Sequence, residues 1–252
     1  MTFAVAAESY DRFMGRYSTL LAPQFAELAD VAVGQRVLDV GCGPGALTTE
    51  LVRLVGSDAV TAVDPSESFV EAARERHPGV TVERAAAEQL PFRDDAFDAA
   101  LAQLVVHFMT DPVGGLREMT RVTRPGGLVA ACVWDHGGGN GPLSPFWKAV
   151  QELDPAAPDE SDLPGARSGQ LTEFFGAAGL RAVAETSLSV SVEHPTFEDW
   201  WEPFTLGVGP AGVHVARLEP GRQAELRERC RAQFPEPPFV LTASAWSARG
   251  LV

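Results

Sequence analysis

Residues 37–45 read Val-Leu-Asp-Val-Gly-Cys-Gly-Pro-Gly, and a helical pattern begins directly after them near Ala46. Three glycines in five positions let a backbone turn tightly and approach a ligand with no Cβ in the way, while the N–H groups of the next helix point at that ligand. A carboxylate, Asp39, stands two residues before the first glycine. It would repel a diphosphate and attract a cationic amino group, because opposite charges at short range in a partly desolvated site interact favourably. The glycines also fall as G-x-G-x-G and not as the G-x-G-x-x-G of a dinucleotide turn. Further on, Asp64 ends the apolar run 59–63, where a carboxylate can accept hydrogen bonds from two adjacent ribose hydroxyls. Such a ribose occurs in more than one cofactor, so Asp64 signals a nucleoside without naming it.

The nine residues of the loop resemble the first motif of class I S-adenosylmethionine (SAM)-dependent methyltransferases. The resemblance implies that Gly41, Cys42 and Gly43 wrap the methionine part of SAM, that Asp39 helps hold its amino group, and that Asp64, followed by Pro65, holds the ribose. Residues 85–92, Ala-Ala-Ala-Glu-Gln-Leu-Pro-Phe, are similar to the family segment Asp-Ala-Glu-x-Leu-Pro-Phe, which contacts adenine. Its Asp is replaced here by Ala86, so the adenine edge falls to the backbone of Ala87 and the side chain of Glu88. Gln103, after the fourth strand, is implied beside the sulfonium, with nearby carbonyls on the methionine ammonium. Arg124-Pro-Gly-Gly and the hydrophobic run 128–134 complete a resemblance that starts near residue 30.

The implied reaction is methyl transfer from SAM to a small-molecule acceptor by in-line displacement, leaving S-adenosylhomocysteine. Holding nucleophile, carbon and sulfur collinear supplies much of such an acceleration. If the acceptor is a hydroxyl or an acidic carbon, a base is useful, and His107 is the candidate because it follows the fourth strand on the substrate side. A packing histidine is the alternative role for His107; His136 and His194 are weaker candidates for the base. Two other functions compete: an NAD-dependent oxidoreductase, opposed by the glycine spacing, and a SAM-binding regulatory protein without catalysis, suggested by Ala86 and the unsettled base.

These residues need an α/β scaffold: a doubly wound, Rossmann-like, seven-stranded, mostly parallel sheet with its last strand antiparallel, helices on both faces and a lid insertion. Strands are expected at 59–63, 97–102, 128–134, 181–193 and 239–247, with helices at 20–32 and 113–122. Asp111 caps the second of these helices ahead of Pro112. One domain spans 1–252, with residues 1–30 as a cofactor cover and 194–238 as the lid and substrate insertion. Tyr10, Met14 and Tyr17 fall at i, i+4 and i+7 on one helical face, and Tyr17 is expected to reach the cofactor. The insertion holds Phe197, Trp200, Trp201 and Phe204, then a helix from Glu219 to Phe234. Such aromatics either pack the insertion onto the sheet or line a pocket for an apolar or aromatic acceptor.

Composition narrows the partners. A net charge of −14 and the absence of any Lys/Arg run argue against nucleic acid. Three scattered cysteines form no disulfide framework and point to a reducing, cytoplasmic setting, and no Cys/His spacing marks a metal site. No apolar run is long enough to span a membrane. The acceptor, the oligomeric state and the pathway are not legible.

Overall fold

The run at 37–40 is aliphatic on both sides of Asp39, the pattern of a parallel strand covered on both faces. In the computed structural model, which describes residues 7–252, this run is β1 (Val37–Val40), buried along its whole length. Before it come α1 (Ala7–Tyr10), a π-helical turn at Asp11–Gly15 and α2 (Arg16–Leu28). After it come α3 (Ala46–Val55), β2 (Val60–Asp64), α4 (Glu67–Arg76), β3 (Thr81–Arg84), β4 (Phe97–Gln103), α5 (Pro112–Val122) and β5 (Thr123–Trp134). The chain continues through α6 (Ser144–Leu153), α7 (Gln170–Ala177), β6 (Arg181–His194), α8 (Phe197–Trp201), α9 (Gly209–Arg217), α10 (Pro220–Arg231) and β7 (Phe239–Leu251).

The strands form one sheet in the order β3-β2-β1-β4-β5-β7-β6, parallel except for β7, which runs antiparallel to both its neighbours. This is the seven-stranded, doubly wound architecture expected from the sequence. Alternation along β1 divides the core. Val37 packs with Leu21 and Phe25 of α2 and Leu47 and Leu51 of α3, while Leu38 and Val40 pack with Leu116 and Met119 of α5 and Phe175 of α7. A third cluster lies under the insertion, where Phe197, Trp200, Trp201 and Phe204 meet Phe146 and Trp147 of α6 and Leu226 of α10.

The first long helix starts at Arg16 rather than Leu20 and stops at Leu28 rather than Ala32. Past its end, Asp30 has a positive φ of 54° that no helix continues through. The helix α9 is absent from the sequence expectation, because Gly207-Val-Gly-Pro has the composition of a turn. Pro210 in fact occupies its first turn, where a missing N–H costs no helical hydrogen bond. Asp111 caps α5 as expected, accepting from the Gly114 N–H.

Candidate active site at the ends of β1, β2 and β4

The strand order reverses between β1 and β4, so the loops leaving these strands open a crevice at their C-terminal ends. The Gly41 and Cys42 N–H groups donate to the Val63 carbonyl at 2.8 and 2.9 Å, fastening the glycine loop to the end of β2. Gly41 has φ +71°, and a Cβ there would lie 2.5 Å from Val105 Cγ2, so the loops after β1 and β4 meet with no room for a side chain. Gly43, at φ +53°, is different: a Cβ would meet nothing within 4 Å, and the loop faces open space at this point.

Two buried carboxylates flank that space. Asp64 accepts the Gly43 N–H on Oδ2 at 2.9 Å and the Ser66 N–H on Oδ1 at 2.8 Å, which leaves each oxygen a further lone pair. Asp39 accepts the Thr48 hydroxyl on Oδ2 at 2.6 Å. Neither makes an ion pair among the described residues. Burial pushes the Asp39 carboxyl up to about 7 and raises that of Asp64 against the pull of its two N–H bonds. Gln103 gives its Nε2–H to the Ser18 carbonyl at 3.1 Å, while its Oε1 is buried without a partner. Two carboxylates and an orphaned amide oxygen around an open glycine loop fit a ligand that brings its own positive charge and hydroxyl donors. SAM has both.

The other residues named from the sequence are distributed unevenly. The Cys42 thiol is buried against the Gly43 carbonyl, and burial raises its pKa well above the usual thiol range, which leaves it an inert small filler. Pro65 is exposed, its carbonyl accepting from Arg84 Nε at 3.0 Å. Ala87 is buried in the cluster on the α5 face. Glu88 spends Oε1 on the Thr110 and Asp111 N–H groups at 2.7 and 3.3 Å, ordering the approach to α5 and leaving only Oε2 for a ligand.

Tyr17 is engaged with the end of β6 and with β5. Its hydroxyl bonds His194 Nε2 at 3.0 Å and its ring packs edge-on to Trp134. The π-helical turn at Asp11–Gly15 adds a residue to one turn, so Tyr10, Met14 and Tyr17 no longer share a single face. Tyr10 is the aromatic on the glycine-loop side: it packs edge-on against Phe69 at 5.4 Å and feels the charge of Asp64, and burial pushes its phenol up to about 12. Arg76 ties this segment to the loop, pairing with Asp11 at 2.6 Å and donating to the Pro44 carbonyl at 2.8 Å.

Beside the crevice lies a partly open pocket with a cavity volume of about 40 Å³. The N-terminal segment supplies Tyr10, Phe13 and Met14; the loop after β4 supplies Leu104, His107 and Phe108; the end of β5 supplies Trp134 and the turn after it His136. Leu143, Glu160 and the stretch Val208-Gly-Pro210 close it. Burial pushes His107 well below the usual imidazole range and His136 down to about 4, so both rings are neutral at pH 7. The insertion's large aromatics pack instead of lining this cavity: Phe204 stacks on Phe146 at 4.6 Å and Trp200 lies 4.8 Å from Phe204. Trp200 and Phe204 border a smaller hollow of about 10 Å³ beside Arg16, Tyr17, His194 and Asp199. Glu160 carried no signal in the sequence, since an acid in a stretch rich in Pro and acid has the composition of a solvated loop.

Residues 38–131, the stretch that carries the glycine loop and runs from β1 into β5, match the methyltransferase domain family. The chain is 35% identical over 136 residues to the ubiquinone/menaquinone biosynthesis C-methyltransferase UbiE of Bdellovibrio bacteriovorus, covering 50% of this chain and 57% of that protein. It is 37% identical over 127 residues to the malonyl-[acyl-carrier protein] O-methyltransferase of Erwinia billingiae, covering 50% and 49%. The chain thus spans about half the length of the curated relatives it matches. The crystal structure of the YcgJ protein from Bacillus subtilis superposes with a TM-score of 0.59 at 19% identity, over 94% of this chain and 98% of that one, which shows a shared fold. Among the described residues no helix is long and apolar enough to cross a membrane.

Proposed function

We propose that the chain is a SAM-dependent methyltransferase that methylates a small-molecule acceptor held in the cavity next to the glycine loop. The observation that carries this reading is a trio of acceptors around a loop open at Gly43: Asp39 and Asp64, hydrogen-bonded but with no ion pair among the described residues, and Gln103 Oε1, buried without a partner. Asp39 and Gln103 would take the methionine ammonium and Asp64 the ribose hydroxyls, with Ala87 and Glu88 toward adenine. When bound, SAM supplies an activated methyl group on a positive sulfur. The protein's part is to align the acceptor and exclude water, and the cover formed by the N-terminal segment and the insertion serves both ends. His107, buried, neutral and facing the acceptor cavity, is placed to take a proton from the acceptor. The one C-methyltransferase and one O-methyltransferase among the relatives described agree on the methyl donor chemistry and diverge on the acceptor.

The test is a thermal-shift titration with S-adenosylhomocysteine, SAM and NAD in parallel. A ligand at about 100 times its Kd stabilises the native state by roughly 2.7 kcal/mol, several degrees in melting temperature for a domain of this size. Stabilisation by the two SAM-type ligands alone is expected, with at least a tenfold weaker Kd in Asp64→Ala, as for two lost charge-assisted hydrogen bonds. Stabilisation by NAD, or by none of the three, would remove the reading. Binding of S-adenosylhomocysteine with no turnover across a broad acceptor panel would favour a SAM-binding regulator.

A further inference from the structure

The acceptor cavity holds three buried proton-accepting groups and no permanent cation. Glu160 is 3% exposed; its Oε2 accepts the Trp147 Nε1–H at 2.6 Å, and its Oε1 has no partner among the described residues. The rings of His107 and His136 lie 6.0 Å apart, and neither makes a side-chain hydrogen bond to another described residue. The remaining wall is mainly apolar and aromatic, with Phe13, Phe108 and Trp134, whose buried Nε1–H is a donor without an acceptor, and no Arg or Lys lines it. Burial pushes the Glu160 carboxyl up to about 7 where an ion pair would have held it down. A buried carboxylate with no counter-charge is costly, and the cost is removed by a ligand that brings the missing cation. An anionic acceptor would face Glu160 with nothing positive to offset it. An ammonium would find a carboxylate, two imidazole acceptors and aromatic faces, the surroundings that favour cations in desolvated sites.

We propose that Glu160 anchors the acceptor and that the acceptor is an amine on an apolar or aromatic body, its nitrogen held by Glu160 and the two imidazoles. This rests on the reading of the cavity as the methyl-acceptor site. The ammonium loses one proton to solvent, with His107 as the relay and not the holder, since its buried ring stays neutral. The freed nitrogen lone pair then forms the N–C bond as the C–S bond breaks, its electrons staying on sulfur. The positive charge lost by sulfur ends on the methylated nitrogen, opposite Glu160.

The experiment uses the full chain saturated with S-adenosylhomocysteine and titrated with three small aromatic probes that differ in polar group: 2-phenylethylamine, 4-ethylphenol and 3-phenylpropionate. Calorimetry is expected to show the amine binding at least about tenfold more tightly than the phenol, with the carboxylate not binding. Glu160→Gln, which keeps an acceptor for Trp147, should bring the amine to the level of the phenol while the melting shift with S-adenosylhomocysteine is unchanged. Equal or tighter binding of the phenol or the carboxylate overturns the proposal, as does an amine preference that survives Glu160→Gln. If that variant does not fold, the order of the three probes on the unaltered chain decides. A chain that binds S-adenosylhomocysteine and none of the probes sinks this proposal alone; one that ignores S-adenosylhomocysteine sinks the methyltransferase reading.

Discussion

Asp39 is a carboxylate without a cation, and that makes it a proton gauge. Its folded-state pKa is raised, to about 7, mainly by burial. Between the ordinary carboxylate range and pH 7 the folded, ligand-free protein therefore holds a proton that the unfolded chain has lost, and this group's contribution to stability falls as pH rises through that window. A cationic ligand beside Asp39 drives the proton off. Binding of S-adenosylhomocysteine near pH 6.5 should release protons, read as a calorimetric enthalpy that depends on the buffer's ionisation heat, and affinity should strengthen from pH 6 to 8. Asp39→Asn should abolish the buffer dependence; its persistence would place the proton elsewhere. His107 gives a second expectation at this scale. His107→Ala should lower kcat while the Kd for S-adenosylhomocysteine holds, because the ring faces the acceptor cavity. Equal loss of both would make it a packing histidine.

At the scale of elements, the glycine loop divides its labour. Gly41 serves folding: its positive φ and the contact with Val105 join the loops after β1 and β4. Gly43 faces open space at its Cβ position, and under the proposed function it serves the ligand. Gly41→Ala should lower stability through the left-handed backbone, roughly 1–2 kcal/mol, and through overpacking, about 1–3 kcal/mol more. Gly43→Ala should incur only the backbone part and instead weaken S-adenosylhomocysteine binding by more than about tenfold, since a methyl group would stand where the ligand approaches. Denaturant unfolding with parallel ligand titration separates the two. Equal losses of stability and affinity in both variants would contradict the division.

Across the whole molecule, the N-terminal cover and the insertion are joined by one polar network. Arg16 grips both oxygens of Asp199 at 2.7 and 3.0 Å, Asp199 also meets His194 Nδ1 at 2.8 Å, and His194 Nε2 meets the Tyr17 hydroxyl at 3.0 Å. Arg16 holds the Asp199 carboxyl below its ordinary range, so this tie is present at neutral pH and is lost as acid protonates Asp199. Asp199→Ala should leave the sheet folded, raise amide exchange over residues 10–20 and speed S-adenosylhomocysteine dissociation several-fold, as expected when a lid opens more often. Unchanged exchange in that segment would reduce the network to packing.

What the sequence determined by itself is local and periodic. The aliphatic run into three glycines, the carboxylates Asp39 and Asp64 at strand ends and the Asp111–Pro112 helix start depend on neighbours a few residues away, so their types and spacing suffice to locate them. The tertiary structure decided the questions that turn on distant partners. Tyr17 faces His194, across the sheet's far edge, because a π-helical turn rotates it; Glu88 is drawn to the backbone of the loop before α5; and the insertion's aromatics are consumed by α6. Glu160 shows the difference most plainly. In a stretch of prolines and acids it has the composition of solvent-exposed loop, and only the approach of Trp147 and the cavity wall makes it a buried carboxyl. The family match ends at residue 131, before Glu160, His136 and the insertion. The glycine loop is therefore written in short-range pattern, while the cavity beside it is assembled from segments far apart in the chain, whose meeting depends on long-range packing.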